Sequence, residues 1–89
     1  MTRCKIRVAS PLRSYTRNAA EVTGCGSTLR EVLENLEADY PGIRFRMIDE
    51  QDAIRPHIRL FIGADEALNI DAHIRYGVTV HLICALSGG

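Results

Sequence analysis

The residues with the clearest chemical potential stand at the C-terminal end, Leu86-Ser87-Gly88-Gly89. A terminal carboxylate is a poor electrophile, but ATP can activate it as an acyl-adenylate. A narrow channel leading to ATP would accept glycine, because glycine has no Cβ and takes backbone angles that other residues avoid. The diglycine therefore makes the Gly89 carboxylate a candidate reacting group, to which Gly88 would give access. Residues 85–89 contain little that could pack, so the sequence predicts a flexible tail.

The three cysteines offer weaker candidates for chemistry. Cys4, Cys25 and Cys84 are odd in number and widely spaced, without a C-x-x-C pair, which argues against a disulfide framework and a structural zinc site. Cys4 and Cys84 fall on inward strand positions, which favours inert packing. Cys25 lies between two glycines in a predicted turn and is the thiol that we expect to be exposed.

Histidines and acidic clusters predict no metal site. The spacings of His57, His73 and His81 match no standard ligand set, and strand alternation puts His81 and Cys84 on opposite faces. The acidic residues 49–52 lack the spacing and the glycine of a calcium-binding loop. We predict surface roles for all of these groups.

Composition narrows the class of protein. The chain has 89 residues, enough for one domain over 1–89, and its eleven basic and eleven acidic residues cancel. Zero net charge gives no field that favours nucleic acid or an anionic membrane. No apolar run approaches the roughly 20 residues of a membrane span, and the N-terminus lacks a signal-peptide pattern, so we expect a cytoplasmic protein. Ten of the basic residues are arginine, and Lys5 is the one lysine.

One helix is strongly predicted over about 28–40. Residues 28–31 fit the S/T-x-x-E capping box, in which the Thr28 hydroxyl and the Glu31 carboxylate bond to backbone N–H groups. An apolar stripe then follows at helical spacing: Leu29, Val32, Leu33 and Leu36. Glu31, Glu34 and Glu37 should face solvent. Pro41-Gly42 should end the helix after Tyr40.

Alternating apolar residues predict the strands. The clear strands are residues 4–9, 57–62 and 78–84, with weaker ones at 19–23 and 68–70, turns at 24–27 and 63–66, and an irregular or single-turn segment over 43–53. The inward positions are Cys4, Ile6, Val8, Ile58, Leu60, Ile62, Val78, Val80, Leu82 and Cys84. The opposite face should carry Lys5, Arg7, Arg59, Phe61, His81 and Ile83. One helix covering one face of a mixed sheet of four or five strands is a two-layer α+β domain of the β-grasp type.

Three stretches resemble the MoaD/ThiS family of ubiquitin-like sulfur-carrier proteins, and the likeness covers nearly the whole chain. They are TLREVLENLEADYPGI (residues 28–43), IRLFIGADE (residues 58–66) and the last strand with its Gly88-Gly89 end. The segment 43–56 and the helix exit look most like carriers of cysteine-synthase-linked or siderophore-type pathways. Two departures are Tyr76-Gly77, where the family commonly has Gly-Asp, and a tail without the proline that often precedes the diglycine.

The resemblance implies a carrier rather than an enzyme, or the small subunit of a sulfur-transferring synthase. A ubiquitin-activating-type enzyme would adenylate Gly89 with ATP, and a sulfurtransferase or other sulfur donor would convert the adenylate to a thiocarboxylate. An acceptor enzyme would use the sulfur to make cysteine, a siderophore or other secondary metabolite, molybdopterin or thiamine. The chain itself would bind no cofactor.

The family's mode of docking implies which residues meet these partners. Phe61, Arg59, His81 and Ile83 would form the partner-binding face, and Leu86 would add a contact from the tail. An exposed Phe and Ile among arginines also suits an interface with an apolar centre. Phe61 packed under a loop is the alternative.

Two other functions stay open. A protein modifier attached to target lysines through Gly89 would use the same carboxylate, although a single lysine leaves little scope for self-linked chains. A non-covalent ubiquitin-like docking subunit would make the diglycine incidental.

Overall fold

The computed structural model describes residues 2–85. Leu86, Gly88 and Gly89 lie outside the described residues, as does most of the predicted flexible tail. The elements in chain order are β1 (Arg3–Val8), β2 (Glu21–Cys25), α1 (Leu29–Asp39), α2 (Ile43–Met47), β3 (Ile58–Ile62), β4 (Asp65–Ala67) and β5 (Thr79–Cys84). A single 3-10 turn, Ser10–Leu12, follows β1. In the described part of the chain, no helix has the length and apolar character needed to cross a membrane.

The five strands form one mixed sheet in the order β2-β1-β5-β3-β4. β1 and β2 make an antiparallel hairpin, β5 runs parallel to β1, and β3 is antiparallel to both β5 and β4. β5 is therefore paired on both sides at the centre of the sheet. The predicted two-layer α+β architecture, with a five-stranded mixed sheet and one main helix, is confirmed.

Helix α1 begins and ends close to where the sequence predicts. Thr28 is the N-cap, and its hydroxyl accepts a bond of 3.3 Å from the Glu31 N–H. The reciprocal bond of the capping box is displaced by one residue, because the Glu31 carboxylate accepts from the N–H of Ser27 at 2.7 Å. Gly42 adopts a positive φ of 98°, which suits glycine and lets the chain leave the helix.

The apolar stripe of α1 packs on the inner face of the sheet. Leu29, Val32, Leu33 and Leu36 are buried, as are the inward positions of β1 and β3. Gly24 of β2 lies close to two core side chains, since a Cβ there would overlap Cδ1 of Ile6 and lie 3.3 Å from Cγ1 of Val32. Close packing of helix on sheet thus requires the small residue in β2.

The segment after α1 contributes more to the core than its sequence indicates. The single-turn expectation for residues 43–53 is confirmed by α2, and Ile43, Met47 and Ile48 are fully buried. Glu37 was expected to face solvent, which is wrong. Its carboxylate is half-buried and accepts from the N–H groups of Gly42 at 2.7 Å and Arg44 at 2.9 Å, capping the start of α2.

The short strand predicted at residues 68–70 is misplaced. β4 is Asp65–Ala67, which overlaps the predicted turn at residues 63–66, and Leu68 is 86% exposed. The turn itself is shorter, with Gly63 at φ 62°. Pairing of Ala67 with Leu60 across the strands buries Ala67 and leaves Leu68 beyond the sheet. β2 likewise lies two residues later than predicted, because Gly24 and Cys25 extend the hairpin instead of turning.

Candidate functional site

The outer sheet face is the surface that α1 leaves uncovered, and its side chains follow from strand register. One row crosses all five strands, because each member is the direct partner of the next. In order from β2 to β4 the row is Glu21, Arg7, His81, Phe61 and Glu66. Directly opposite residues have Cβ atoms about 4.5–5.5 Å apart, so these side chains contact one another along the row.

The four partner-binding residues predicted within the described chain all lie on this face. Phe61 and His81 are cross-strand partners, and Arg59 pairs with Ile83. Phe61 and His81 are half-buried, whereas Ile83 is 39% exposed. The predicted alternation is thus confirmed and brings two apolar side chains together beside a histidine and an arginine. Their role in binding a partner stays a prediction.

Two carboxylates that the sequence analysis did not assign to this face moderate its positive charge. Arg59 Nη1 lies 3.2 Å from Glu66 Oε2, and Arg7 Nη1 lies 3.7 Å from Glu21 Oε1. Both pairs are exposed, so each contributes little to stability. Glu66 was missed because it was assigned to a turn, and only the position of β4 brings it beside Arg59.

Arg3 also belongs to the outer face, and a stricter use of alternation would have found it. The predicted strand began at Cys4, but β1 begins at Arg3, which is exposed like Lys5 and Arg7. β1 therefore presents three cations at successive outward positions. We call Arg3, Lys5 and Arg7 the β1 cation stripe.

The candidate reactive end follows β5, the central strand of the sheet. β5 pairs with β1 on one side and β3 on the other, and the Ala85 N–H donates to the His57 carbonyl at 2.8 Å. The predicted reactive residues Gly88 and Gly89 and the predicted contact Leu86 come directly after this point in the sequence but lie outside the described residues. The sheet thus fixes the position of Ala85, the last described residue before them.

The cysteines are placed for packing. Cys4 is buried as predicted, and burial, with a smaller effect of the nearby Cys25, raises the pKa of its thiol. Partial burial likewise raises the pKa of the Cys84 thiol, opposed by Arg46. Cys25 is not in an exposed turn: it ends β2, is half-buried, and its Sγ lies 3.7 Å from Nδ2 of Asn35. A raised pKa lowers the thiolate fraction at neutral pH, which disfavours nucleophilic roles for Cys4 and Cys84.

Within residues 2–85, no three or more His, Cys, Asp or Glu side chains come together as metal ligands would. The densest ionic cluster joins elements instead. Arg30 bonds to Asp52 at 2.8 Å and to Asp71 at 3.0 Å, while Arg44 reaches Asp52 at 3.1 Å. Each aspartate of this cluster forms an ion pair with at least one arginine. The pairs link α1 and α2 to the two loops that carry Asp52 and Asp71.

Comparison with known proteins identifies the fold. No protein-family model matches the chain, and no curated protein matches it significantly in sequence. Among solved structures, a chain of the BexX/CysO complex of Amycolatopsis orientalis is similar with a TM-score of 0.89 and 21% identity, covering 97% of this chain and 99% of that one. CysO of Mycobacterium tuberculosis, described as an antigen, gives a TM-score of 0.86 at 23% identity, covering 93% and 99%.

A third similar structure is small archaeal modifier protein 1 (SAMP1) of Methanosarcina acetivorans, with a TM-score of 0.83 and 17% identity over 100% of this chain and 98% of that one. Identities this low establish the shared fold and leave activity to be argued from the residues. The fold implied by the sequence resemblance is confirmed. This chain has the ubiquitin-like β-grasp fold.

Proposed function

We propose that this protein is a sulfur carrier whose working group is the carboxylate of Gly89. The observation that carries the proposal is the position of β5. It is the central strand, it supplies His81 and Ile83 to the outer face, and the sequence reaches Gly88-Gly89 after three intervening residues. Under this proposal, one strand would connect the docking face with the reactive end.

This arrangement suits delivery of a carboxylate to a partner's ATP site. Four residues follow Ala85, and four residues can span at most about 14 Å. For an adenylating enzyme that binds the outer face near Ile83, the carboxylate would therefore lie within about 14 Å of Ala85. Binding converts the encounter of carboxylate and ATP into an effectively intramolecular one, which lowers its entropic cost.

The carrier contributes the carboxylate and its positioning, and the partners contribute the chemistry. A carboxylate oxygen of Gly89 attacks the α-phosphorus of ATP, and pyrophosphate leaves. A hydrosulfide ion from the donor then attacks the acyl carbon, AMP leaves, and a thiocarboxylate remains. An acceptor enzyme takes the sulfur into a small-molecule product, and water cleaves the acyl–sulfur bond, which restores the Gly89 carboxylate. Under this proposal the chain is a protein co-substrate with no resident cofactor.

The test is a reconstitution with the purified chain ending at Gly89. The chain is incubated with ATP, sulfide and an adenylating enzyme from the same genome, and its intact mass is measured. We expect the mass gain that corresponds to replacement of one oxygen by sulfur, together with release of pyrophosphate. An unchanged mass, with an enzyme that is active on another carrier, would refute the proposal.

Two tail variants separate reactivity from folding. Deletion of Gly89 shortens the chain by one residue, so the terminal carboxylate belongs to Gly88. Addition of one alanine after Gly89 converts the Gly89 carboxylate into a peptide bond. We expect both variants to lose pyrophosphate release while keeping the circular dichroism spectrum and melting temperature of the parent chain. Loss of the fold in either variant would contradict the view that the end is separate from the core.

A protein modifier is the second candidate, and the similarity to small archaeal modifier protein 1 supports it. The same adenylate would then be attacked by a lysine of another protein. Lys5, the one lysine of the chain, lies on the outer face, where a bound partner would cover it. Adducts of higher mass on other proteins, instead of a thiocarboxylate, would favour this function.

A further inference from the structure

In this electrically neutral chain, the described part of the outer sheet face carries more cations than carboxylates. The outer sheet face has the β1 cation stripe, and its two carboxylates, on Glu21 and Glu66, each pair with one arginine. The exposed acidic side chains of α1 lie on the opposite layer and include Glu34 and Asp39. The one basic residue of α1, Arg30, is already bonded to two aspartates. The outer sheet face is therefore net basic although the chain as a whole is neutral.

A hollow of about 280 Å³ lies at the start of the β1 cation stripe. It is lined by Arg3 and Lys5 from β1, Thr23 from β2, and Tyr76 with Gly77 from the loop before β5. Tyr76 is 89% exposed, an unusual setting for an aromatic side chain that contacts no core. Two cations and a phenol make this hollow a receptor for an anionic group.

A second hollow, of about 190 Å³, lies at the end of the stripe. Arg7, Arg13 and His81 line it together with Ile83. The Arg13 Nε donates to the Val8 carbonyl at 2.9 Å, which holds this side chain in place beside β1. Among residues 2–85, no Asp or Glu lines either of these two hollows. Arg3 and Arg7 are four residues apart on one strand, so the two hollows lie about 13 Å apart.

We propose that the partner surface that receives the outer sheet face is an acidic protein surface, with carboxylates that enter the two hollows and an apolar group that covers Phe61 and Ile83. The identification of this partner as the adenylating enzyme rests on the proposed function. Complementary charge accelerates association and sets the register of docking. Register matters here, because the end of β5 must meet the ATP site.

The same face fits nucleic acid less well. Phe61 and Ile83 place apolar surface beside the stripe, which suits the centre of a protein interface. Glu21 and Glu66 put carboxylates on the outer row, where they would repel a phosphate backbone. An acidic protein can leave room for these two groups, whereas a uniformly charged polymer cannot.

The experiment compares two charge reversals of equal size at different sites. Lys5→Glu changes the centre of the stripe, and Arg17→Glu changes an exposed arginine that stacks on Tyr40 at the end of α1. KM for the carrier and kcat are measured by pyrophosphate release with the adenylating enzyme of the reconstitution, in low and in high salt. Lys5→Arg serves as the charge-conserving variant, and thermal melting confirms folding of each protein.

We expect Lys5→Glu to raise KM about tenfold at low ionic strength, with kcat unchanged and the effect falling severalfold in 0.5 M salt as the charges are screened. Arg17→Glu and Lys5→Arg should change KM less than about twofold. Equal effects of the two reversals, or an effect on kcat alone, would overturn the inference.

Two further outcomes are distinguishable. If the parent chain is not adenylated by a competent enzyme, the proposed function fails, and the assignment of this partner fails with it. Fluorescence anisotropy with a labelled DNA duplex at the same salt gives the other control. Duplex binding that Lys5→Glu abolishes, with KM unchanged, would overturn an acidic protein as the occupant.

Discussion

Gly24→Ala should weaken the fold mainly through one contact between β2 and the Ile6 side chain of the neighbouring strand β1. A Cβ at Gly24 would overlap Cδ1 of Ile6 and lie 3.1 Å from its Cγ1 and 3.3 Å from Cγ1 of Val32. Ile6 and Val32 are fully buried, so neither can turn into solvent. Overpacking of this kind costs about 1–3 kcal/mol.

An opposing effect comes from the unfolded chain. Alanine has less backbone freedom than glycine, which stabilises the folded state by about 0.4–1 kcal/mol where the native angles suit it. The clash is larger, so we expect a net loss of about 1–2 kcal/mol in the free energy of unfolding. A domain of 89 residues has roughly 4–13 kcal/mol in total, so the loss is measurable.

Ile6→Val removes the Cδ1 methyl with which the new alanine would collide. Alone, this change should cost about 1 kcal/mol for the lost burial. Combined with Gly24→Ala it moves one methyl group from β1 to β2, so the double variant should be at least as stable as either single variant. The coupling energy in the double-mutant cycle should then be about 1–2 kcal/mol in the favourable direction.

Urea unfolding followed by circular dichroism measures all four proteins. Ile62→Val, in β3, is the control partner for Gly24→Ala, because β1 and β5 separate β3 from β2. That pair should be additive within about 0.5 kcal/mol. Additivity of Gly24→Ala with Ile6→Val as well would refute the proposed contact between Gly24 in β2 and Ile6 in β1.

Two other predictions test the face assignment and the ionic cluster. Leu60→Ala should lower the free energy of unfolding by about 3 kcal/mol, because Leu60 is fully buried. Phe61→Ala should lower it by only about 1 kcal/mol, because Phe61 is half-buried, and should instead raise KM in the pyrophosphate assay. If urea unfolding shows the larger loss for Phe61→Ala, the face assignment is wrong. Bonds from Arg30 and then Arg44 lower the pKa of Asp52, so its contribution to stability is complete above the ordinary aspartate pKa of about 3.9 and is lost as pH falls through the depressed folded value. Asp52→Asn should therefore destabilise the protein at pH 7 and differ progressively less from the parent below about pH 4; a difference that stays constant with pH would exclude the ionic mechanism.

Local patterns determined much of this structure. Alternation in residues 4–9, 57–62 and 78–84 assigned every outward and inward position correctly, because strand side chains have a period of two whatever their partners. Helix α1 was equally well specified, since Thr28 caps it and Gly42 has the positive φ that ends it. These features depend on residues within a few positions of one another.

The tertiary structure decided what depends on distant parts of the chain. The parallel pairing of β5 with β1 places the last strand at the centre of the sheet, and no local pattern encodes which strands become neighbours. Glu37 points toward α2 because the N–H groups of Gly42 and Arg44 need acceptors there. Burial of Ala67 through its pairing with Leu60 likewise fixed β4 ahead of the exposed Leu68.

The candidate site also depends partly on local sequence and partly on the tertiary structure. The sequence by itself identified the diglycine end and the face with Phe61, His81 and Ile83, because chain order and alternation suffice for both. Only the folded sheet showed that Arg13 and Tyr76, from two separate loops, complete hollows at the ends of the β1 cation stripe. Loop side chains have no fixed period, so their positions follow from the strands between which they lie.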